Sequence, residues 1–186
     1  QRSHYGWDVD PSIIRVVPDV LEAYEIFLRE LVGAGNSVIV PTPAYMPFLS
    51  VPKLYDVDVI EIEMLQSGDA ETGEAQWVFD FDAIERAFAA GCHAFVLCNP
   101  HNPIGKVLTL EEELRLSDLA AQYDVRIFND EIHAPFVFEG KHIPFPTISE
   151  QAALQSMTAT SASKSFNIPG TKCAQVLLTN PADRDM

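Results

Sequence analysis

The chain has 186 residues, of which 47% are hydrophobic and 21% are charged, as expected for one globular domain with a substantial core. Its formal net charge of −15 argues against nucleic acid or an anionic membrane as a partner. The three cysteines have no paired or metal-type spacing, which indicates reduced, buried thiols in a cytoplasmic protein. The sequence contains no signal peptide, no apolar run long enough to span a bilayer, and no repeat.

The first predicted helix begins at Pro18, because a proline followed by acidic residues is typical of a helix start. Apolar residues at helical spacing continue this helix to Gly33. The amide groups at its start could hold a phosphate, although the segment alone favours an ordinary buried helix. Residues 37–40 then predict a short buried strand, and the prolines after it put Tyr45 at the carboxyl end of that strand.

The middle of the chain alternates strand and helix patterns. Residues 57–64 predict a strand near the sheet edge, and residues 66–76 predict a solvated loop. Residues 80–88 predict a short helix, and residues 94–98 form an apolar run that is typical of a buried parallel strand. This strand opens into a polar loop at residues 99–106.

The last part of the chain begins with a helix that Thr109 and Glu112 start as a capping box and that runs to about Tyr123. Three further strands are predicted at residues 125–129, 157–160 and 174–179. The last strand follows a turn too short for a helical crossover, so we expect it to be antiparallel to its predecessor. The fold class is therefore α/β, with a mostly parallel sheet, flanking helices and one antiparallel strand.

Polar or aromatic side chains follow the predicted strand ends. In an open α/β sheet the carboxyl ends of the strands meet at the crevice where ligands bind. The residues at these ends are Tyr45, Asn102, Asp130, His133 and Lys164. So many such groups at one edge are hard to explain by packing, and they indicate a ligand site.

Lys164 stands behind a hydroxyl-rich run and ahead of a Pro-Gly turn. A lysine amine can form a Schiff base with a carbonyl when its surroundings lower its pKa. The hydroxyls of Ser161 and Ser163 and the ammonium group of Lys172 would form an anion site beside this amine. An aldehyde that carries a phosphate, such as pyridoxal 5'-phosphate (PLP), fits these groups. The stretch alone leaves open a Ser/Thr-rich strand end with two solvated lysines.

A pyridine ring held in this way needs an anion at its ring nitrogen and donors at its phenolic oxygen. Asp130 suits the first role, and Asn102 and His133 suit the second. Taken singly, Asp130 could be a turn residue and His133 a surface histidine. Tyr45 could stack on the ring or simply pack against its neighbours.

Three motifs carry a resemblance to a known family: Asn-Pro-His-Asn-Pro-Ile-Gly at residues 99–105, Asp-Glu-Ile-His at 130–133 and Ser-Ala-Ser-Lys at 161–164. In their order and spacing they resemble the signatures of fold-type I PLP enzymes of the class I/II aminotransferase family. The likeness covers nearly the whole chain. His133 resembles the MalY/PatB branch of cystathionine β-lyases, where related aminotransferases usually carry tyrosine. Three other stretches resemble that branch too, namely residues 15–18, 141–145 and 166–173.

The resemblance implies the large domain of a PLP-dependent transferase-like fold. It implies that Lys164 is the Schiff-base lysine, Asp130 the partner of the ring nitrogen and Tyr45 the stacking residue, with Asn102 and His133 at the phenolic oxygen. The phosphate would be held by the backbone of Val16 and Val17 and by Ser161, Ser163 and Lys172. Two residues depart from the family pattern: Arg15 stands where many relatives have glycine, and Ile104 replaces a common threonine.

The resemblance further implies an enzyme that acts on an amino-acid substrate. A carbon–sulfur β-lyase that releases thiol, pyruvate and ammonia is the first hypothesis, and a class I/II aminotransferase is the alternative. A PLP-binding regulatory domain without catalysis is a third. We expect residues 1–186 to be the central part of the large PLP-binding domain, without the N-terminal segment and the C-terminal small domain of relatives. We expect the full-length form to be a homodimer.

Overall fold

The structure, a computed structural model, describes residues 2–68 and 76–185. Its helices are α1 (Arg2–Tyr5), α2 (Val20–Phe27), α3 (Met46–Ser50), α4 (Phe81–Ala89), α5 (Leu110–Gln122) and α6 (Glu150–Gln155). Its strands are β1 (Ile14–Val17), β2 (Ser37–Thr42), β3 (Asp58–Glu63), β4 (Leu65–Ser67), β5 (Gln76–Val78), β6 (Ala94–Cys98), β7 (Arg126–Asp130), β8 (Ser156–Thr160) and β9 (Ala174–Leu178).

The main sheet has seven strands in the order β1-β9-β8-β7-β6-β2-β3. The pairs β2–β3, β2–β6, β6–β7 and β7–β8 are parallel. Strand β9 is antiparallel to both β8 and β1, so β1 again runs in the direction of the other strands. The prediction of a mostly parallel sheet with one antiparallel strand is confirmed, as is the edge position of β3.

The predicted start of α2 at Pro18 is two residues early, because the helix begins at Val20 with Asp19 as its N-cap. The Asp19 carboxylate accepts a hydrogen bond from the Glu22 amide (3.0 Å) at the start of α2, and a π-helical segment continues this helix to Gly33. Thr109 and Glu112 bond reciprocally at the start of α5, so the predicted capping box is confirmed. Both arrangements satisfy amide groups that the first turn of a helix leaves without a partner.

Two apolar layers cover the two faces of the sheet. One layer contains Tyr24, Phe27 and Phe48, which pack against Phe128 of β7. The other layer is built from α4, α5 and α6 and from the opposite side chains of β6, such as Phe95. Since successive side chains of a strand point to opposite faces, a continuous apolar run like β6 supplies both layers. The prediction of flanking helices is confirmed.

The structure corrects some of the predicted elements. The predicted loop at residues 66–76 is wrong at both ends, because β4 and β5 form a two-stranded antiparallel sheet there. The rest of that loop, residues 69–75, lies outside the described residues. Strand β1 and helix α6 were not predicted. Both are short, and β1 has a mixed exposure pattern at the sheet edge, so neither has a clear period in sequence.

Candidate active site

A cavity of about 250 Å³ lies at the carboxyl ends of the parallel strands. Strand β2 lies between β3 on one side and β6 on the other, so the strand order reverses at β2. Ligands bind beside such a reversal in open α/β sheets. The predicted site residues that line the cavity are Tyr45, Asn102, Asp130, His133, Ser161, Ser163, Lys164 and Lys172. The structure therefore brings these residues together.

Asp130, the last residue of β7, is buried in the cavity wall. Its carboxylate accepts one hydrogen bond, from the Ile132 amide (2.9 Å). Burial raises the pKa of Asp130 to about 7 and Glu131 adds to the rise, whereas the Ile132 amide and the charge of Lys164 act in the opposite direction. A cationic group in the cavity would stabilise the charged form of this carboxylate. The protonated nitrogen of a pyridine ring is a group of that kind.

His133 follows Asp130 across the tight turn that leaves β7. Burial and the charge of Lys164 lower the pKa of His133, while the Pro100 backbone acts in the opposite direction. The imidazole is thus neutral at neutral pH, and a neutral ring can either donate or accept a hydrogen bond. This chemistry suits a phenolic oxygen.

Tyr45 lies at the start of α3, just after the chain leaves β2. Its ring packs edge-on against Phe48, with centroids 5.6 Å apart and the planes at 86°. Phe48 in turn packs edge-on against Tyr24 at 5.2 Å. The Tyr45 ring is therefore supported by a buried aromatic group while it remains partly exposed at the cavity.

Asn102 stands in the loop that connects β6 to α5, and a buried polar group holds this loop in place. The Asn99 carboxamide accepts a hydrogen bond from the Leu108 amide (3.1 Å) and donates one to Glu113 Oε1 (2.6 Å). The two ends of the loop are thus tied to each other and to helix α5. Burial raises the pKa of Glu113 to about 8, and the charge of Glu131 adds to the rise.

Lys164 lies in a run of turns after β8, exposed at the cavity. Ser161 fixes the beginning of this run, because its hydroxyl donates to the Cys173 carbonyl (2.8 Å) and accepts from the Ser163 amide (3.1 Å). The Asn167 amide donates to the Lys164 carbonyl (3.2 Å). The lysine side chain therefore extends from a backbone that hydrogen bonds hold on both sides.

Lys172 is held by a residue that the sequence did not indicate. Its Nζ lies 2.8 Å from Oδ2 of Asp19 in an ion pair, with side chains 66% and 41% exposed. Lys172 lowers the pKa of Asp19, as does the Glu22 amide, and Asp19 raises the pKa of Lys172. The sequence predicted a helix start at Pro18, but nothing in it links Asp19 to a lysine far along the chain.

Val16 and Val17 are not brought to this cavity. They lie in β1, opposite Gln175 and Ala174 of β9, and the Val16 side chain is 71% exposed. Val17 instead borders a separate cavity beside Met157. The chain reaches the candidate site one residue later, where the start of α2 contributes its wall residues Pro18, Asp19, Val20 and Leu21.

Comparison with known proteins shows which family this chain belongs to. Residues 4–184 match the family model for aminotransferase class I and II. The chain belongs to this family. A cystathionine beta-lyase of Corynebacterium glutamicum is 39% identical over 179 residues, which is 96% of this chain and 45% of the relative. Cystathionine beta-lyase PatB of Bacillus subtilis is 29% identical over 98% of this chain and 46% of its own length.

Among solved structures, cystalysin of Treponema denticola, which contains a pyridoxal 5'-phosphate cofactor, superposes with a TM-score of 0.91. It is 31% identical to this chain, and the match covers 99% of this chain and 46% of cystalysin. The expected PLP-dependent transferase-like fold and the resemblance to the aminotransferase family are thereby confirmed. This chain spans less than half the length of these relatives.

Two further features of this family member were not predicted. Cys98, at the end of β6, lines the cavity beside Asp130, and burial raises the pKa of its thiol so that it stays neutral. Glu131 is buried and accepts hydrogen bonds from Asn129 (2.8 Å) and from the Phe145 amide (2.9 Å). Glu131 thus fixes the turn between Asp130 and His133. A buried glutamate has no distinctive sequence pattern.

Within residues 2–68 and 76–185, no group of His, Cys, Asp or Glu is arranged to hold a metal ion. Among the same residues, no helix has the length and apolar character needed to cross a membrane.

Proposed function

We propose that the full-length protein is a PLP-dependent carbon–sulfur β-lyase that acts on a cysteine-derived amino acid and releases thiol, pyruvate and ammonia. The observation that carries this proposal is that Lys164 and the buried carboxylate of Asp130 line the same cavity. Relatives that are cystathionine beta-lyases by name support the reaction type. His133, which resembles the lyase branch of the family, supports it further.

The cavity residues fit PLP. The Asp130 carboxylate, which lacks a cationic hydrogen-bond partner among the described residues, suits a protonated ring nitrogen. Asn102 and neutral His133 suit the phenolic oxygen, and the Tyr45 ring suits one face of the pyridine. The phosphate would be held by Ser161, Ser163 and Lys172, and by amide groups at the start of α2. The backbone of Val16 and Val17 stays a prediction for this role.

When bound, PLP supplies an aldehyde and an electron-withdrawing ring that stabilises negative charge at the substrate Cα. Asp130 would keep the proton on the ring nitrogen, because its carboxylate is charged when a cation lies against it. Lys164 would bind the cofactor and then, once displaced by the substrate amine, remove the proton from the substrate Cα as a general base. Departure of the sulfur group from Cβ, with uptake of a proton, would give the thiol, and hydrolysis of the remaining enamine by water would give pyruvate and ammonia.

An aminotransferase is the second candidate, because the family model that matches the chain bears that description. The two reactions share the removal of the Cα proton and differ in the step after it. The full-length protein should be given cystathionine without an acceptor, and separately an ordinary amino acid with a keto acid. We expect free thiol product and pyruvate in the first assay. Product that appears only with a keto acid would show an aminotransferase instead.

The bond between the cofactor and the protein has its own test. Borohydride reduction of the full-length protein with bound PLP should leave a pyridoxyl group on Lys164, mapped by mass spectrometry of peptides. Modification of Lys172 or another lysine would contradict the role of Lys164. PLP binding at Lys164 without turnover in either assay would favour the regulatory-domain hypothesis.

We also propose the remaining features of the whole protein. Residues 1–186 would be the central part of the large PLP-binding domain of a homodimer. Large apolar side chains that are strongly exposed, Phe138 at 91% and Phe166 at 72%, support a contact with another chain or segment. Cys92 and Cys98 are buried as predicted, whereas Cys173 is exposed, and all three thiols are free, which supports a cytoplasmic location.

A further inference from the structure

Asp19 brings a carboxylate to the part of the cavity where the cofactor phosphate is proposed to bind. Its Oδ2 accepts a hydrogen bond from Lys172 (2.8 Å) and its Oδ1 accepts one from the Glu22 amide (3.0 Å). Asp19 and Lys172 both line the cavity. One side chain of this protein thus already uses both kinds of donor that a phosphate would use, an ammonium group and an amide in the first turn of a helix.

A phosphate that binds here must share or replace the hydrogen bonds that Asp19 accepts from Lys172 and the Glu22 amide. A phosphate that approaches Lys172 also approaches the charge of Asp19, and charges of the same sign repel each other. Both side chains are partly exposed, so water and salt screen the repulsion without removing it. The carboxylate therefore reduces the positive potential that Lys172 and the start of α2 offer to a phosphate.

We propose that Asp19 sets the affinity of this site for phosphate by competing with the bound anion for Lys172 and for the amides at the start of α2. This inference rests on the proposed function where the anion is the phosphate of PLP. Asp19 acts on binding strength through these shared donors and is a positioning residue. The consequence is a cofactor that the protein retains less tightly than the same cavity would without this carboxylate.

The alternative role for Asp19 is that of a helix cap with an incidental ion pair. Asparagine and serine cap helices about as well as aspartate but carry no charge. Asp19→Asn and Asp19→Ser therefore remove the charge and keep the cap. Asp80→Asn is the matched control, because Asp80 caps α4 through the Ala83 amide (2.9 Å) and does not line this cavity.

The experiment compares the equilibrium binding of three ligands to the cofactor-free full-length protein. They are PLP, pyridoxal, which lacks the phosphate, and inorganic phosphate, whose binding is measured by competition. In Asp19→Asn we expect PLP and phosphate to bind at least about fivefold more tightly, the order of effect of one partly screened charge at close range. Asp19→Ser should reproduce this gain. Pyridoxal affinity should stay the same, and Asp80→Asn should change none of the three affinities.

Equal or weaker binding of PLP and phosphate in both Asp19 variants would overturn the proposal. An equal gain for pyridoxal would also overturn it, since the effect would then not act on the phosphate. The proposed function fails separately, when the wild-type protein forms no adduct at Lys164. In that case the competition with inorganic phosphate still decides the role of Asp19, because it needs no bond to the lysine.

Discussion

At the scale of single residues, Asp130, the proposed electrostatic partner of the cofactor ring, is the most informative position. Asp130→Asn keeps the size of the side chain but cannot hold a proton on the ring nitrogen by charge. We expect this variant to retain bound PLP and to lose turnover by at least about 10²-fold, as when a preorganised electrostatic partner is removed. The absorbance of bound cofactor and kcat with cystathionine measure the two effects. A near-normal rate would mean that Asp130 is only a turn residue.

Glu113 makes a second prediction at this scale, on stability. Its pKa is raised to about 8 in the folded protein, from a usual value of 4.5. The folded state thus holds this proton more tightly than the unfolded state does. The resulting stabilisation is fully present below pH 4.5 and is lost as the pH rises through about 8. Glu113→Gln mimics the protonated form and should remove this part of the pH dependence.

Denaturant unfolding of the full-length protein at pH 5 and pH 8 checks this expectation. Asp130 titrates in the same direction, so the quantity to compare is the difference between the variant and the wild type. Glu111→Gln, an exposed residue of the same helix, is the control and should follow the wild type. An unchanged pH dependence in Glu113→Gln would contradict the raised pKa.

At the scale of elements, the start of α5 supports the loop that carries Asn102. Thr109→Ala removes the hydroxyl that accepts from the Glu112 amide (3.2 Å). We expect a loss of about 1 kcal/mol in the free energy of unfolding, the usual cost of removing such a cap. Thr109→Ser keeps the hydroxyl and should recover most of it. Equal stability of the alanine and serine variants would show that the capping box contributes little.

The predictable elements were those with a local signal. The cap at Thr109 and the continuous apolar run of β6 identify a helix and a buried strand without knowledge of the fold. Strand β1 has no such signal, because it is short and exists through pairing with β9, which is more than 150 residues away in sequence. Non-local pairing of this kind is decided by the assembled sheet.

The same distinction holds for the candidate site. Strand ends can be located in sequence, so the convergence of Asp130, His133 and Lys164 could be predicted from the α/β class alone. The ion pair between Asp19 and Lys172 joins residues 153 positions apart, and no local pattern specifies it. Val17 was predicted at the cavity from the family motif, whereas β1 holds it beside β9 and the next residues form the wall.

At the scale of the whole molecule, the proposed homodimer gives a prediction about assembly. Phe166, 72% exposed in the run of turns that carries Lys164, is an apolar side chain suited to an interface. Phe166→Ser should weaken self-association of the full-length protein, measured by sedimentation. Leu154→Ser, an exposed apolar residue of α6, is the control and should sediment as the wild type. Sedimentation of the wild type as a monomer would contradict the proposal.

Strand β9, which runs antiparallel to its neighbours, brings the ends of β1 and β8 together beside the cavity. Its first residue lies opposite the last residue of β1, and its second lies opposite the last residue of β8. The groups that would bind the phosphate thus come from the junction of β1, β8 and β9. They are Ser161, Lys172 and the start of α2. The groups that would contact the pyridine ring follow β2, β6 and β7. Substitutions on the ring side can therefore change the chemistry of the site without touching the residues that would hold the phosphate at this junction.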